Sequence, residues 1–273
     1  MRTRVAMLLL LFGSSCLLRA QAPQEQEAAQ EPDRRWTKPG PPQDGGVREV
    51  LESIIIPPIP NAPFRATLDT EWVRFVPDGG TITFVNERHI ARDGRGRIYE
   101  ERWALVPKFH PSGDIHSKMT WIQIADPKLH TLYNCSIEKH VCDLLTYDPA
   151  KDFTAAQPRT PPPSTSTVDR GLPTTIEDLG TRNIAGVDTV GLRQTHRIEI
   201  GSMGNDQPMT NMKEEWHSQE LGINLLSVRS GPMVGKQTFT IIELTASEPD
   251  PQLFELPAGY KVNDQRKNPS VSW

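Results

Sequence analysis

Phe64-Arg65-Ala66-Thr67-Leu68-Asp69-Thr70-Glu71-Trp72 decides the fold. Phe64, Ala66, Leu68 and Trp72 fall on one side of an extended chain, and Arg65, Thr67, Asp69 and Glu71 fall on the other. Successive side chains leave a strand on opposite faces, so this alternation marks a half-buried β-strand. The pattern recurs outward. Residues 81–91, 97–106, 117–125, 129–134 and 143–147 follow as strand candidates. A second run starts near Ile176 and continues through 188–200, 209–218, 223–230 and 236–246. Turn chemistry separates the runs: Pro77-Asp78-Gly79, Asp93-Gly94, Ala185-Gly186, Gly222, Gly231-Pro232 and Gly235. Eleven strands result, six before a Pro-rich stretch and five after it. They predict a mainly β chain built as a single curved antiparallel sheet, an open half-barrel in which sequence neighbours lie side by side.

Helix is scarce. Val47, Val50, Leu51 and Ile54 mark one helical face over residues 47–54, and Pro57, Pro58 and Pro60 stop it. Pro249-Asp250-Pro251-Gln252-Leu253-Phe254 reads as a short capped turn. Residues 21–46 are rich in Gln, Glu, Pro and Gly and lack the aliphatic content to order themselves. The antiparallel domain therefore runs over 47–262. It is interrupted near 148–173 by a Pro-rich loop whose stretch 158–167 is low in complexity, and a flexible tail follows at 263–273.

The first twenty residues read as a secretory signal. Arg2 and Arg4 precede the apolar run 5–12, and small residues follow. Cleavage after Ala20 or Ala22 and lipidation at Cys16 are the alternatives. The expected location is the periplasm or the cell exterior, with lipid anchoring at Cys16 as the variant. No later stretch reaches the ~20 apolar residues of a membrane span. The net charge of −4, without a long basic cluster, argues against nucleic acid as a partner.

Cys135 and Cys142 flank a four-residue loop, 137–140, between two strand candidates. That register sets them opposite each other at a non-hydrogen-bonded pair, about 4.5 Å between Cα atoms, within disulfide reach. Export to an oxidising compartment favours the bond. His130 and His140 lie nearby, but the paired spacing of a zinc site is missing.

Catalytic motifs are missing too: there is no nucleophile elbow, metalloprotease helix, P-loop or dinucleotide fingerprint. His110, Asp114 and His116 share one loop without metal-ligand spacing and read as solvated residues. Glu100-Glu101 and Glu214-Glu215 read as charged outer faces, since adjacent strand residues point apart. Trp72, Trp103, Trp121 and Trp216 read as packing residues, with the lining of a cavity as their alternative role. Asn134-Cys135-Ser136 matches a glycosylation sequon that a bonded Cys135 disfavours. The expectation is a protein that is not an enzyme and needs no cofactor.

Five features together carry a resemblance. They are the export signal, the antiparallel run from Pro63-Phe64, the phrases 179–187 and Trp216-His217-Ser218, and the closing 249–262. They resemble a group of uncharacterised exported bacterial proteins, which are themselves similar to the outer-membrane lipoprotein-sorting carriers. The resemblance implies an open half-barrel that wraps apolar ligands, an acyl chain, a lipid or a lipidated partner. The face that includes Phe64, Leu68 and Trp72 is the candidate for that ligand. The alternative is an envelope interaction or scaffold module that docks another protein through an edge strand or loop.

Overall fold

The computed structural model describes residues 53–109, 115–152, 166–169 and 172–266. The expected export signal, the expected linker 21–46 and residues 47–52 of the expected helix lie outside them. So do His110, Asp114 and most of the low-complexity stretch. The strands are β1 (Phe64–Phe75), β2 (Thr81–Arg92), β3 (Ile98–Trp103), β4 (Val106–Pro107), β5 (Met119–Asp126), β6 (Thr131–Ser136) and β7 (Val141–Thr146). After one helical turn, α1 (Pro149–Asp152), come β8 (Ser166–Asp169), β9 (Leu172–Ile184), β10 (Val187–Ile198) and β11 (Met209–Ser218). The last are β12 (Ile223–Gly231), β13 (Gly235–Thr245) and, beyond a 3₁₀ turn at Pro251–Phe254, β14 (Lys261–Asp264).

All fourteen strands lie in one open sheet, in the order β14-β7-β6-β5-β3-β2-β1-β13-β12-β11-β10-β9-β8, with β4 beside β2. The first run walks outward from β1 to β7, and the second walks inward from β8 to β13. The antiparallel pair β1·β13 joins the two runs, with Leu68 opposite Ile241 and Trp72 opposite Gln237. The Pro-rich stretch thus links two halves of one sheet.

Three strands exceed the eleven expected. β4 has two residues, too few to show a period. β8 lies inside the stretch read as a loop and pairs with β9 through its backbone. β14 places Asn263 and Asp264, expected in the flexible tail, on β7, and this pairing is parallel. The sheet is therefore not wholly antiparallel. At the end of the expected helix, Ser53 and Ile54 have no regular structure. Ile54 and Ile56 are instead buried, as a strap along the sheet.

Alternation builds the core as the sequence implies. Phe64, Leu68, Phe239 and Ile241 are buried on one face together with the strap. Arg92, fully buried, clamps the strap down. Its Nε and one terminal nitrogen donate to the Ala62 carbonyl at 3.0 and 2.7 Å. Further bonds reach the Pro57 carbonyl at 2.8 Å and the Leu221 carbonyl at 2.6 Å. Its guanidinium sits 5.1 Å from the Phe64 ring centroid. Burial lowers its pKa to about 10. The Asp93-Gly94 turn forms, with Gly96 at φ 83° as its left-handed residue. The Asp93 carboxylate accepts from the backbone of Arg95 and Arg97 and from Arg97 Nε, at 3.0, 2.8 and 2.7 Å.

Candidate functional site

Trp72 opposes Gln237, Gln237 opposes Arg229, and Arg229 opposes Lys213. Directly opposed residues share a face. The face of Phe64, Leu68 and Trp72 therefore continues across β13, β12 and β11. Beyond Trp72 it opens into a cup of about 360 Å³. Its floor includes Ile198 and Met209, opposed residues of β10 and β11, and His196, which opposes Asn211. Met203 comes from the β10–β11 loop, and Met233 and Val234 come from the β12–β13 turn. Met212 also borders the cup. The volume lies at the low end of small-molecule sites, which are mostly apolar with a few polar groups.

Both arms of the cup have local causes. Trp72 Nε1 donates to the Val234 carbonyl at 2.8 Å, tying the β12–β13 turn to β1. Gly235 closes that turn at φ 72°, and a Cβ there would meet the Val73 carbonyl oxygen at 2.2 Å. Only glycine allows so close an approach. In the other loop, Asn205 Nδ2 donates to the Glu199 and Gln207 carbonyls at 2.9 and 2.7 Å, and its Oδ1 accepts from Met203 N at 3.0 Å. Lys213 pairs with Glu215 at 2.7 Å at the polar side of the cup. Met203, Met233 and the neighbouring Ile200 are about two-thirds exposed, at 60, 64 and 64%. The rim is an apolar surface.

The opposite face carries a smaller, more polar cavity of about 320 Å³ beside Arg65, Thr67, His89, Tyr99 and Glu243. Glu101 is buried at its edge and accepts from four donors. Its Oε2 takes His89 N at 3.0 Å and Trp103 Nε1 at 2.7 Å, and it pairs with His89 Nδ1 at 3.0 Å. Its Oε1 takes the Tyr99 hydroxyl at 3.0 Å. Burial, reinforced by this carboxylate, pushes the Tyr99 hydroxyl well above the usual phenol range. Glu101 is saturated by these bonds, so it fastens β2 to β3.

Phe64 and Leu68 are fully buried under the strap and line neither cavity. They are core; the opening on their face lies further along, past Trp72. Trp72 is half-buried and acts as the anchor of the cup's turn. Cys135 and Cys142 are bonded, directly opposed in the β6–β7 hairpin, with 3.9 Å between Cα atoms. The carboxylate doublets do split across the sheet, but they are not an outer charged surface. Glu101 is buried, Glu100 pairs with Arg88 and Arg102, and Glu214 pairs with Arg193 and accepts from Trp216 Nε1. Trp216 packs in the core against Gly191, where a Cβ would meet its ring at 2.7 Å. Trp121 is exposed at 38%. Among the described residues no three His, Cys, Asp or Glu side chains are grouped to hold a metal, and no helix is long and apolar enough to cross a membrane.

No family model matches the chain, and no curated protein does. Among solved structures it is similar to an uncharacterized conserved protein from Thermus thermophilus, with a TM-score of 0.37 and 10% identity over 75% of this chain and 91% of that one. It is also similar to the MucA/MucB complex of Pseudomonas aeruginosa, at 0.36 and 13%, over 74% of this chain and 58% of that one. A third is a protein with a YmcC-like fold from Bacteroides fragilis, at 0.24 and 9%, over 71% and 99%.

Proposed function

We propose that this chain is an exported cell-envelope protein that binds an acyl chain, free or on a lipid or lipidated partner, in the methionine-lined cup, without altering it chemically. The cup carries the reading. It is apolar, and its two loop walls bear methionines, whose three rotatable bonds adapt to an irregular apolar guest. The signal-like start and the Cys135–Cys142 bond support an oxidising compartment.

A fluorescent fatty acid should bind saturably, be displaced by unlabelled fatty acids, and lose affinity at least tenfold in Met209→Glu. Absence of saturable binding across fatty acids, phospholipids and lipopeptides would defeat the proposal. The second reading, a protein-docking module, draws on the exposed Ile200, Met203 and Met233 at the rim. It predicts that the cup accepts an apolar side chain of a partner and no free lipid.

A further inference from the structure

We propose that the cup also holds a soft monovalent metal ion, Cu(I), on the thioethers of Met203, Met209 and Met233, with the imidazole of His196 as a fourth donor. This goes beyond lipid binding and does not depend on it, although both use the same cup.

Composition motivates it. After residue 20 the chain has five methionines, and four of them, all but Met119, border this one cavity. They arrive from three separate segments, a loop, a strand and a turn, so local sequence bias does not explain their meeting. Leucine and isoleucine would fill an apolar wall as well; the thioether adds a soft, neutral donor. Soft sulfur donors select Cu(I) over the hard divalent ions. The thiols that would compete, Cys135 and Cys142, are tied in a disulfide and fully buried. Methionines are then the soft donors that the described residues can offer.

The nitrogen donor is also prepared. His196 Nδ1 lies 2.8 Å from Thr174 Oγ1, which fixes the ring and leaves Nε2 as its other nitrogen. A hydrogen-bonded second ring nitrogen is the usual state of a metal-bound histidine. The hard competitor at the cup's polar side, Glu215, is engaged by Lys213. Met203 and Met233 stand on the two loops with their side chains mostly exposed, and thioether side chains have three rotatable bonds with which to reach an ion. Binding forms thioether and imidazole bonds to copper and involves no electron transfer.

The test uses the full chain, first treated with iodoacetamide so that Cys16 cannot bind metal. Cu(I) is supplied with ascorbate and competed against a chromogenic Cu(I) chelator; Ag(I) serves as a redox-inert parallel. The expected result is one ion per chain, with copper–sulfur scattering in the X-ray absorption spectrum. The variant Met203→Leu/Met209→Leu/Met233→Leu keeps the apolar volume and removes the thioethers. It should melt within a few degrees of wild type and lose Cu(I) affinity at least a hundredfold. Absence of stoichiometric Cu(I) binding, or equal binding by the triple variant, overturns the inference. Fatty-acid binding that fails while the copper result holds would remove the lipid reading alone.

Discussion

Arg92→Met should loosen the strap that covers the core face. The side chain reaches three backbone carbonyls, those of Pro57, Ala62 and Leu221, through four bonds of 2.6 to 3.0 Å. Bonds from a charged donor are worth about 1.5–3 kcal/mol each, and the two on Ala62 share one oxygen. Three such contacts give roughly 5–9 kcal/mol. Against this stands the burial of an uncompensated charge, which moves the pKa from 12.5 to about 10. That shift corresponds to about 3 kcal/mol. The Pro57 oxygen keeps the Ile59 N–H at 2.9 Å, which limits the loss there. The net destabilisation should be about 4 kcal/mol, or ~8–16 °C in melting temperature for a domain of this size. Urea unfolding should show a lower midpoint with an unchanged slope. Amide exchange should accelerate first at Asn61, whose N–H donates to the Gly94 carbonyl at 2.9 Å. Arg92→Lys should recover little, because a point charge cannot serve three carbonyls in one plane. A stability within about 1 kcal/mol of wild type, well short of three lost charged hydrogen bonds, or exchange that rises uniformly, would refute the clamp.

Replacing Cys135 and Cys142 together by Ser should cost about 2.5 kcal/mol on the chain-entropy account of so short a loop, read from urea melts. Glu101→Gln presents an amide donor to groups that already donate and should cost about 2–3 kcal/mol; Glu100→Gln leaves the buried Arg88 guanidinium without its carboxylate and should cost about 3 kcal/mol in the same assay. Burial pushes the Asp93 carboxyl up, but the Arg97 side chain and the Arg97 and Arg95 amides outweigh it, so its folded pKa lies below the ordinary 3.8. Its contribution is therefore fully present above about pH 4, the unfolded carboxyl's range, and is lost as pH falls through the folded value. Acid titration of stability should show this loss, and Asp93→Asn should remove that part of the acid dependence.

The sheet was legible because its long strands alternate. From Phe64 to Leu68 the buried and polar positions follow the period, and the Cys135–Cys142 register follows from loop length. Where backbone bonding alone makes the strand, no side-chain signal exists: β8 is a Ser/Thr stretch, β4 has two residues, and β14 pairs in parallel at an edge. Of the 47–54 helix expectation only Ser53 and Ile54 are described; Ile54, like Ile56, is buried in the strap that Pro57 and Pro58 continue and that Arg92 holds by the Pro57 carbonyl. Trp72 stands on the face that opens into the cup, but the place of the cup carries no sequence signal. Met203, Met209 and Met233 are brought together by the β10–β11 and β12–β13 connections, and sequence spacing carries no trace of that meeting. Glu101 was misread for a related reason: strand parity gave its face, while its four donors come from the register of neighbouring strands.

Native mass spectrometry of the protein, purified from its own host without detergent, asks whether the cup is occupied. A bound species with the mass of a fatty acid or lipid should appear, be released on collisional activation and be missing from a Met209→Glu variant that melts like wild type. Apo-protein alone in the wild type, or the same bound mass in the variant, would contradict the lipid reading.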